Sequence, residues 1–235
     1  MRLELHPKQS LAFQSDATEI LYGGAAGGGK SHLMRVCAIA WAVDIPGIQI
    51  YLFRRTYPDL WKNHMEGPSS FPALLAEWVA TGFVKLNLSD GQVIFSNGSK
   101  IHLCHCQNEK DVFKYQGAEI HALLIDELTH FSESIYRFLR GRCRLGAFVK
   151  SIPEKWQGQF PRIMAGANPG GIGHHFVKAT FIDNVVPLQK RTMEAKDGGM
   201  VRQYIPARLD DNPTMDDGYA DKLSGLGNEA LVRAM

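Results

Sequence analysis

Short runs of β-branched, aliphatic or aromatic residues alternate along the chain with longer stretches of helical periodicity, a pattern that predicts an α/β fold around a central sheet. Thr18 to Tyr22 reads as a first strand and runs directly into Gly23-Gly24-Ala25-Ala26-Gly27-Gly28-Gly29. Ser31 to Asp44 then carries apolar residues on nearly every face, which predicts a helix buried against the sheet. Ile48 to Phe53 is continuously hydrophobic, as buried parallel strands are. A helix around Phe71 to Ala80 precedes three short runs, Val84 to Leu88, Gln92 to Phe95 and Lys100 to Cys104. Asp90-Gly91 and Asn97-Gly98 separate these runs and favour the positive φ of hairpin turns, so an antiparallel meander attached to the parallel sheet is expected. Ile120 to Ile125 and Arg162 to Ala167 read as further core strands, with a helix near Ser132 to Cys143 between them. From Arg208 onward Asp210, Asp211, Asp216, Asp217 and Asp221 surround a Pro and a Gly, and Asn228 to Met235 reads as a last short helix without a cap signal. The pattern divides the chain into a core over 1–207 and a linker or lid over 208–235.

Composition narrows the partners. A formal net charge of +2 over 235 residues predicts no polyanionic partner by itself, so any nucleic-acid contact must come from local clustering of Lys and Arg. Cys37, Cys104, Cys106 and Cys143 are scattered and no signal peptide opens the chain, which predicts an intracellular, reduced protein. The longest apolar stretch, Val36 to Val43, falls short of the roughly 20 residues of a membrane-spanning helix.

The chemistry is densest at Gly24-Ala25-Ala26-Gly27-Gly28-Gly29-Lys30-Ser31, a full match to G-x-x-x-x-G-K-[ST] between a predicted strand and a predicted helix. Glycines let backbone N–H groups wrap a phosphate chain, and the helix start adds its positive dipole end. Lys30 is expected to reach the β- and γ-phosphates, and the Ser31 hydroxyl to ligate Mg²⁺. His121 to Glu127 then supplies a strand ending in two carboxylates, Asp126 to hold Mg²⁺ through water and Glu127 to polarise the attacking water. Asn108-Glu109-Lys110-Asp111 has the letters of a guanine-reading motif in the wrong order. Gln9, ahead of the first strand, offers an amide suited to the adenine edge, so ATP is the expected nucleotide.

Taken together, Pro7-Lys8-Gln9, Leu21 to Ser31, Phe53-Arg54-Arg55-Thr56, Ile125 to Phe131, Gly166-Ala167-Asn168-Pro169-Gly170-Gly171 and Tyr204 to Pro213 resemble the ATPase portion of tailed-bacteriophage terminase large subunits. The resemblance spans most of the chain from about Leu5 onward. It implies an ASCE, RecA-like P-loop NTPase fold and a motor that pumps double-stranded DNA, without reading its sequence, into a procapsid by ATP hydrolysis. It also implies a homo-oligomeric ring in the host cytoplasm at the portal, with portal protein and small terminase subunit as partners. A nuclease domain would follow the linker; no strand-borne acidic cluster is visible here, so nuclease activity is not expected of this chain.

Asn168 matches the family's coupling motif, and its amide is expected to sense the γ-phosphate. The charge-stabilising arginine stays open. Many relatives carry a basic residue inside the loop, where Ala25, Ala26, Gly27 and Gly28 stand here, and many have Arg where this chain has Gln116. The candidates are Arg140, Arg142 and Arg144, with Arg142 first and Arg54 or Arg55 as the alternative. Arg137, Arg140, Arg142, Arg144, Lys150, Lys155 and Arg162 are opposed only by Glu154, and would face DNA, a neighbouring subunit's ATP or solvent. His102, Cys104 and Cys106 share a strand face but read as packing residues. The competing functions are a P-loop phosphotransferase and a nucleotide-switched binding module, both of which would use the same loop.

Overall fold

In the computed structural model, which describes residues 3–24, 27–208 and 211, the strands form one mixed sheet. The helices are α1 Pro7–Gln14, α2 Lys30–Asp44, α3 Tyr57–His64, α4 Phe71–Ala80, α5 Glu133–Arg140 and α6 His174–Val177. The strands are β1 Glu19–Gly24, β2 Gln49–Arg54, β3 Val84–Asn87, β4 Gln92–Phe95, β5 Lys100–His105, β6 Ala122–Ile125, β7 Arg162–Ala167, β8 Lys190–Thr192 and β9 Val201–Ala207. Their spatial order is β3-β4-β5-β2-β6-β7-β1-β9-β8.

From β5 through β9 the pairings are parallel, so β1, β2, β6 and β7 all end on one rim. The expected meander is present: β3 and β4 pair antiparallel, β4 and β5 likewise, and β5 joins the parallel sheet beside β2. Both faces are covered at the centre of the sheet, which explains why β1, β6 and β7 are buried along nearly their whole length without alternation. Ile20, Tyr22, Ala122 and Leu124 pack into the core that contains Trp41 and Phe71, whereas Leu21, Leu123 and Ile125 pack with Phe131, Tyr136 and Phe181.

Several elements lie outside the expected set, and two are instructive. The first is α3: the Thr56 side chain accepts from Asp59 N and a Pro stands in the first turn, both signals of a helix start. The second is β9, whose Arg202 lies buried with Nε donating to Glu19 Oε2 at 2.6 Å. A charge in a strand beside β1 disguises it in the sequence, because its partner is far away along the chain. Asp210, Asp216, Asp217, Asp221 and the expected helix at Asn228 to Met235 lie outside the described residues, as does all of the 208–235 segment except Arg208 and Asp211. Asp211 accepts from Arg208 N at 2.7 Å and pairs with Lys8 Nζ at 2.9 Å.

Candidate nucleotide site

The strand order places three chemical groups side by side. Strand β7 lies between β1 and β6, so the residue that follows it, Asn168, falls between the Gly-rich loop after β1 and the acids after β6. Gly29 is the N-cap of α2 with φ +70°, and Lys30 and Ser31 form the first turn, where helix N–H groups and the dipole favour an anion. Ala25 and Ala26 of the loop lie outside the described residues; Gly24, Gly27 and Gly28 flank them as expected.

Lys30 is 6% exposed, and its Nζ donates to Asn168 Oδ1 at 2.6 Å. Asn168 in turn donates to Glu127, through Nδ2 to Oε1 at 2.8 Å and through its backbone N to Oε2 at 3.2 Å. Thr129 Oγ1 donates to Asn168 O at 2.8 Å and fixes the other side of that turn. Glu127 itself has φ 63° and ψ 61°, a left-handed backbone that a non-glycine residue adopts at a cost of order 1 kcal/mol or more. Burial, joined by the Asp126 charge and opposed by Lys30, raises its pKa above the ordinary glutamate value. Burial lowers Lys30, with Glu127 and Asp126 opposing.

Asp126 is fully buried. Ser31 Oγ stands 3.1 and 3.0 Å from its two oxygens, Arg54 Nη1 donates to Oδ2 at 3.1 Å, and His64 Nε2 lies 3.2 Å from the same Oδ2. Burial alone would raise the carboxyl, but the His64 hydrogen bond, the Arg54 charge and the Ser31 hydroxyl outweigh it and hold the group at about 2. Burial lowers His64, and the neighbouring Arg35 and Arg54 add to that, against Asp126. A serine hydroxyl and an ionised carboxylate are the hard oxygen donors that Mg²⁺ takes alongside phosphate oxygens, so this pair fits the metal role expected for Ser31 and Asp126.

Three expectations change. Gln9 does abut the loop, but its amide is engaged there: Nε2 donates to Gly29 O at 2.9 Å and Oε1 accepts from His6 N at 2.8 Å. At 1% exposure it works as a strut under the loop. Arg142 lies at the wrong end of the sheet. Its carbonyl accepts from Ile120 N, and Ile120 precedes β6, so at about 3.3 Å per residue Arg142 stands roughly 20 Å from Asp126. Its guanidinium rests 5.0 Å from the Phe138 ring centre. Of the two alternatives, Arg54 reaches Asp126 in the site, whereas Arg55 donates to His130 O.

The basic stretch is likewise not one surface. Arg162 is fully buried and holds Ala12 O and Ser15 O at 3.2 and 2.6 Å; Arg140 donates to Asp197 O at 2.9 Å beside buried Glu19. Arg137 pairs with Glu133 and Lys155 with Asp44. As for the strand face at 102–106, His102 stacks on Tyr51 and its Nε2 meets Gln49 Oε1 at 2.9 Å, while Cys104 and Cys106 are buried.

Residues that sequence reasoning missed are His64, Arg35 and Thr129. The Thr56 cap with its following Pro announces α3, and Leu60 and His64, four apart, form its buried face. Gly29 offers a direct test of the loop. A Cβ there would overlap Gln9 Nε2 on a left-handed backbone, so Gly29→Ala should weaken binding of a fluorescent ADP analogue by about tenfold or more, the equivalent of about 1.4 kcal/mol. Adding Gln9→Ala should recover part of the loss; an unchanged affinity in Gly29→Ala would remove the loop from nucleotide binding.

Comparison with known proteins bears on the family and the fold. A family model described as terminase large subunit, T4likevirus-type, N-terminal, matches residues 21–157, more than half of the chain. The large terminase of a thermophilic bacteriophage, solved with ADP, shares 16% identity at a TM-score of 0.69, over 97% of this chain and 52% of that one. The large terminase ATPase domain of Thermus phage P74-26 shares 14% at 0.58, over 97% and 91%. The N-terminal domain of the DNA packaging ATPase of bacteriophage phi29 shares 14% at 0.52, over 91% and 100%. These likenesses fix the fold as the RecA-like P-loop architecture, and the chain spans about half the length of the ADP-bound large terminase. Among curated protein sequences no relative matches. The family match shows that the chain belongs to the T4likevirus-type terminase large subunits, which it matches in their N-terminal region.

Proposed function

We propose that the chain hydrolyses ATP at the loop and that hydrolysis drives double-stranded DNA into a phage procapsid. The observation that carries this reading is the continuous hydrogen-bonded path from Lys30 through Asn168 to Glu127, alongside Ser31 and Asp126. The thermophilic phage terminase's complex with ADP and the phi29 protein's role in DNA packaging support it.

Backbone N–H groups at the start of α2 and the Lys30 ammonium would bind the β- and γ-phosphates. Ser31 and Asp126 would hold Mg²⁺, which when bound neutralises phosphate charge. Glu127 would accept the proton of the attacking water, its raised pKa making it a stronger base than a solvated glutamate. A phosphate oxygen competing for Lys30 Nζ draws it from Asn168 Oδ1, and the amide, still tied to Glu127 and Thr129, moves with the outcome. Asn168 thereby links the state of the γ-phosphate to the turn leading to α6. Assembly as a homo-oligomeric ring at the portal in the host cytoplasm, with portal protein and small terminase subunit, belongs to the same proposal. The arginine contributed from within the chain is Arg54.

Phosphate release measured with ATP and Mg²⁺, with and without double-stranded DNA and with small hydroxyl acceptors, tests the reading. Release to water is expected in every arm. Transfer to an acceptor would establish a phosphotransferase, and tight binding without release would establish a switch; either outcome sinks the motor.

A further inference from the structure

Asp126 is held from behind as well as from the loop. His64, the last residue of α3, is fully buried and its ring bridges two groups: Nδ1 lies 3.3 Å from Arg35 Nη1 and Nε2 lies 3.2 Å from Asp126 Oδ2. Arg35 projects from α2, the helix whose first turn carries Lys30 and Ser31, and its Nη1 also donates to Asn63 O at 2.8 Å.

A guanidinium has donors only, so Nδ1 can face Arg35 only as an acceptor. The ring proton therefore resides on Nε2 and points at the carboxylate. A doubly protonated ring would set one N–H against another, with Arg54 as a further cation on the same Oδ2. Oδ2 thus takes donors from His64 and Arg54 and shares the Ser31 hydroxyl with Oδ1, whereas Oδ1 meets only that rotatable hydroxyl among the bonds described. We propose that His64, its tautomer set by Arg35, is a positioning residue for Asp126: it fastens Oδ2 and so fixes the carboxylate that would hold the divalent cation of a bound nucleotide. The inference rests on the nucleotide reading above and adds to it a wire of side chains from α2 through α3 to the metal-holding acid.

The hydrogen bond is tested first in the whole chain, without nucleotide or Mg²⁺, by heteronuclear NMR of labelled histidine. His64 should give a single Nε2–H tautomer, and Arg35→Met should turn it into a mixture. Mg²⁺ is then titrated into protein holding a fluorescent ADP analogue. His64→Leu should weaken the apparent Mg²⁺ affinity by about 10–100-fold, as loss of a partner behind a metal ligand does. His64→Gln, whose amide N–H falls near the Nε2 position, should restore most of it. A contribution from packing against Phe71 alone would not distinguish Leu from Gln in this way. An Nδ1–H tautomer in the parent, or His64→Leu within about twofold of the parent in Mg²⁺ affinity, would overturn the assignment. Parent protein that binds no ADP with or without Mg²⁺ would instead overturn the nucleotide reading, and this inference with it.

Discussion

Glu127→Gln should keep nucleotide affinity within a few-fold of the parent while cutting ATP turnover by about 10²–10⁴-fold, the usual contribution of a general base. The amide keeps the shape of the carboxylate and one oxygen to accept the Asn168 Nδ2 bond, and gives up only the longer bond from Asn168 N, so nucleotide binding should change little. It cannot take a proton. The parent side chain is prepared for that task by its surroundings: burial and the neighbouring Asp126 charge raise its pKa, and the left-handed backbone at φ 63° points a side chain that would otherwise continue the alternation of β6. Asp126 makes the contrast. Held at about 2 by its donors, it is a poor base and a good cation ligand. Adjacent carboxylates on one strand end are thus driven apart in acidity by environment, as a division of labour between acid–base and metal roles requires. Measuring phosphate release and ADP binding on the same preparation separates the outcomes. Full turnover in Glu127→Gln would take Glu127 out of the chemistry; loss of binding would make it a structural member of the loop.

The parts of the site that are local in sequence were legible in the sequence, and the parts assembled by the sheet were not. Gly24 to Ser31, with Asp126 and Glu127, announce themselves because a phosphate cradle and a strand-end acid pair are written in consecutive residues. Asn168 was legible through its surrounding motif, but its position between Lys30 and Glu127 follows from the insertion of β7 between β1 and β6, a fact of strand order. His64 gave no chemical signal. A lone histidine in a short helix becomes informative only when α3 sets it against Asp126, 62 residues away. The same limit misled the reading of charge. Arg140 and Arg162 look like a basic surface in the sequence, yet they bind Asp197 O, Ala12 O and Ser15 O inside the fold, because buried carbonyls left over at element ends need donors. The order of letters cannot show whether an arginine faces water or a carbonyl distant in the chain. Gln9 illustrates a finer failure: its neighbourhood was inferred correctly, but the partner of its amide is the loop backbone at Gly29.

Arg54→Ala should lower kcat by about 10³-fold, the lower end of what a charge-stabilising arginine contributes, while Arg142→Ala in the same isolated chain should change it by less than about twofold. The difference follows from place in the sheet. Arg54 closes β2, whose Phe53 pairs with Ile125 of β6, so its guanidinium stands over the rim where the phosphates would lie; Arg142 is tied to Ile120 at the far end of β6. One Arg54 N–H is committed to Asp126 Oδ2, and Nε is buried without a hydrogen-bond partner among the described residues. A guanidinium carries five donors in a rigid fork, so it can keep the carboxylate and still meet an oxygen on which negative charge grows. Lysine cannot do both, and Arg54→Lys should recover only a small part of the loss. The rival role, a clamp that merely fastens Asp126, makes a different prediction. It would shift the Mg²⁺ dependence of ADP binding and leave turnover at saturating Mg²⁺ near the parent value. A large fall in kcat with ADP affinity retained supports charge stabilisation by Arg54 within its own chain. A near-normal kcat in Arg54→Ala at saturating Mg²⁺ would return that role to an arginine from a neighbouring subunit, for which Arg142, remote from its own site, remains the candidate to test in the assembled ring.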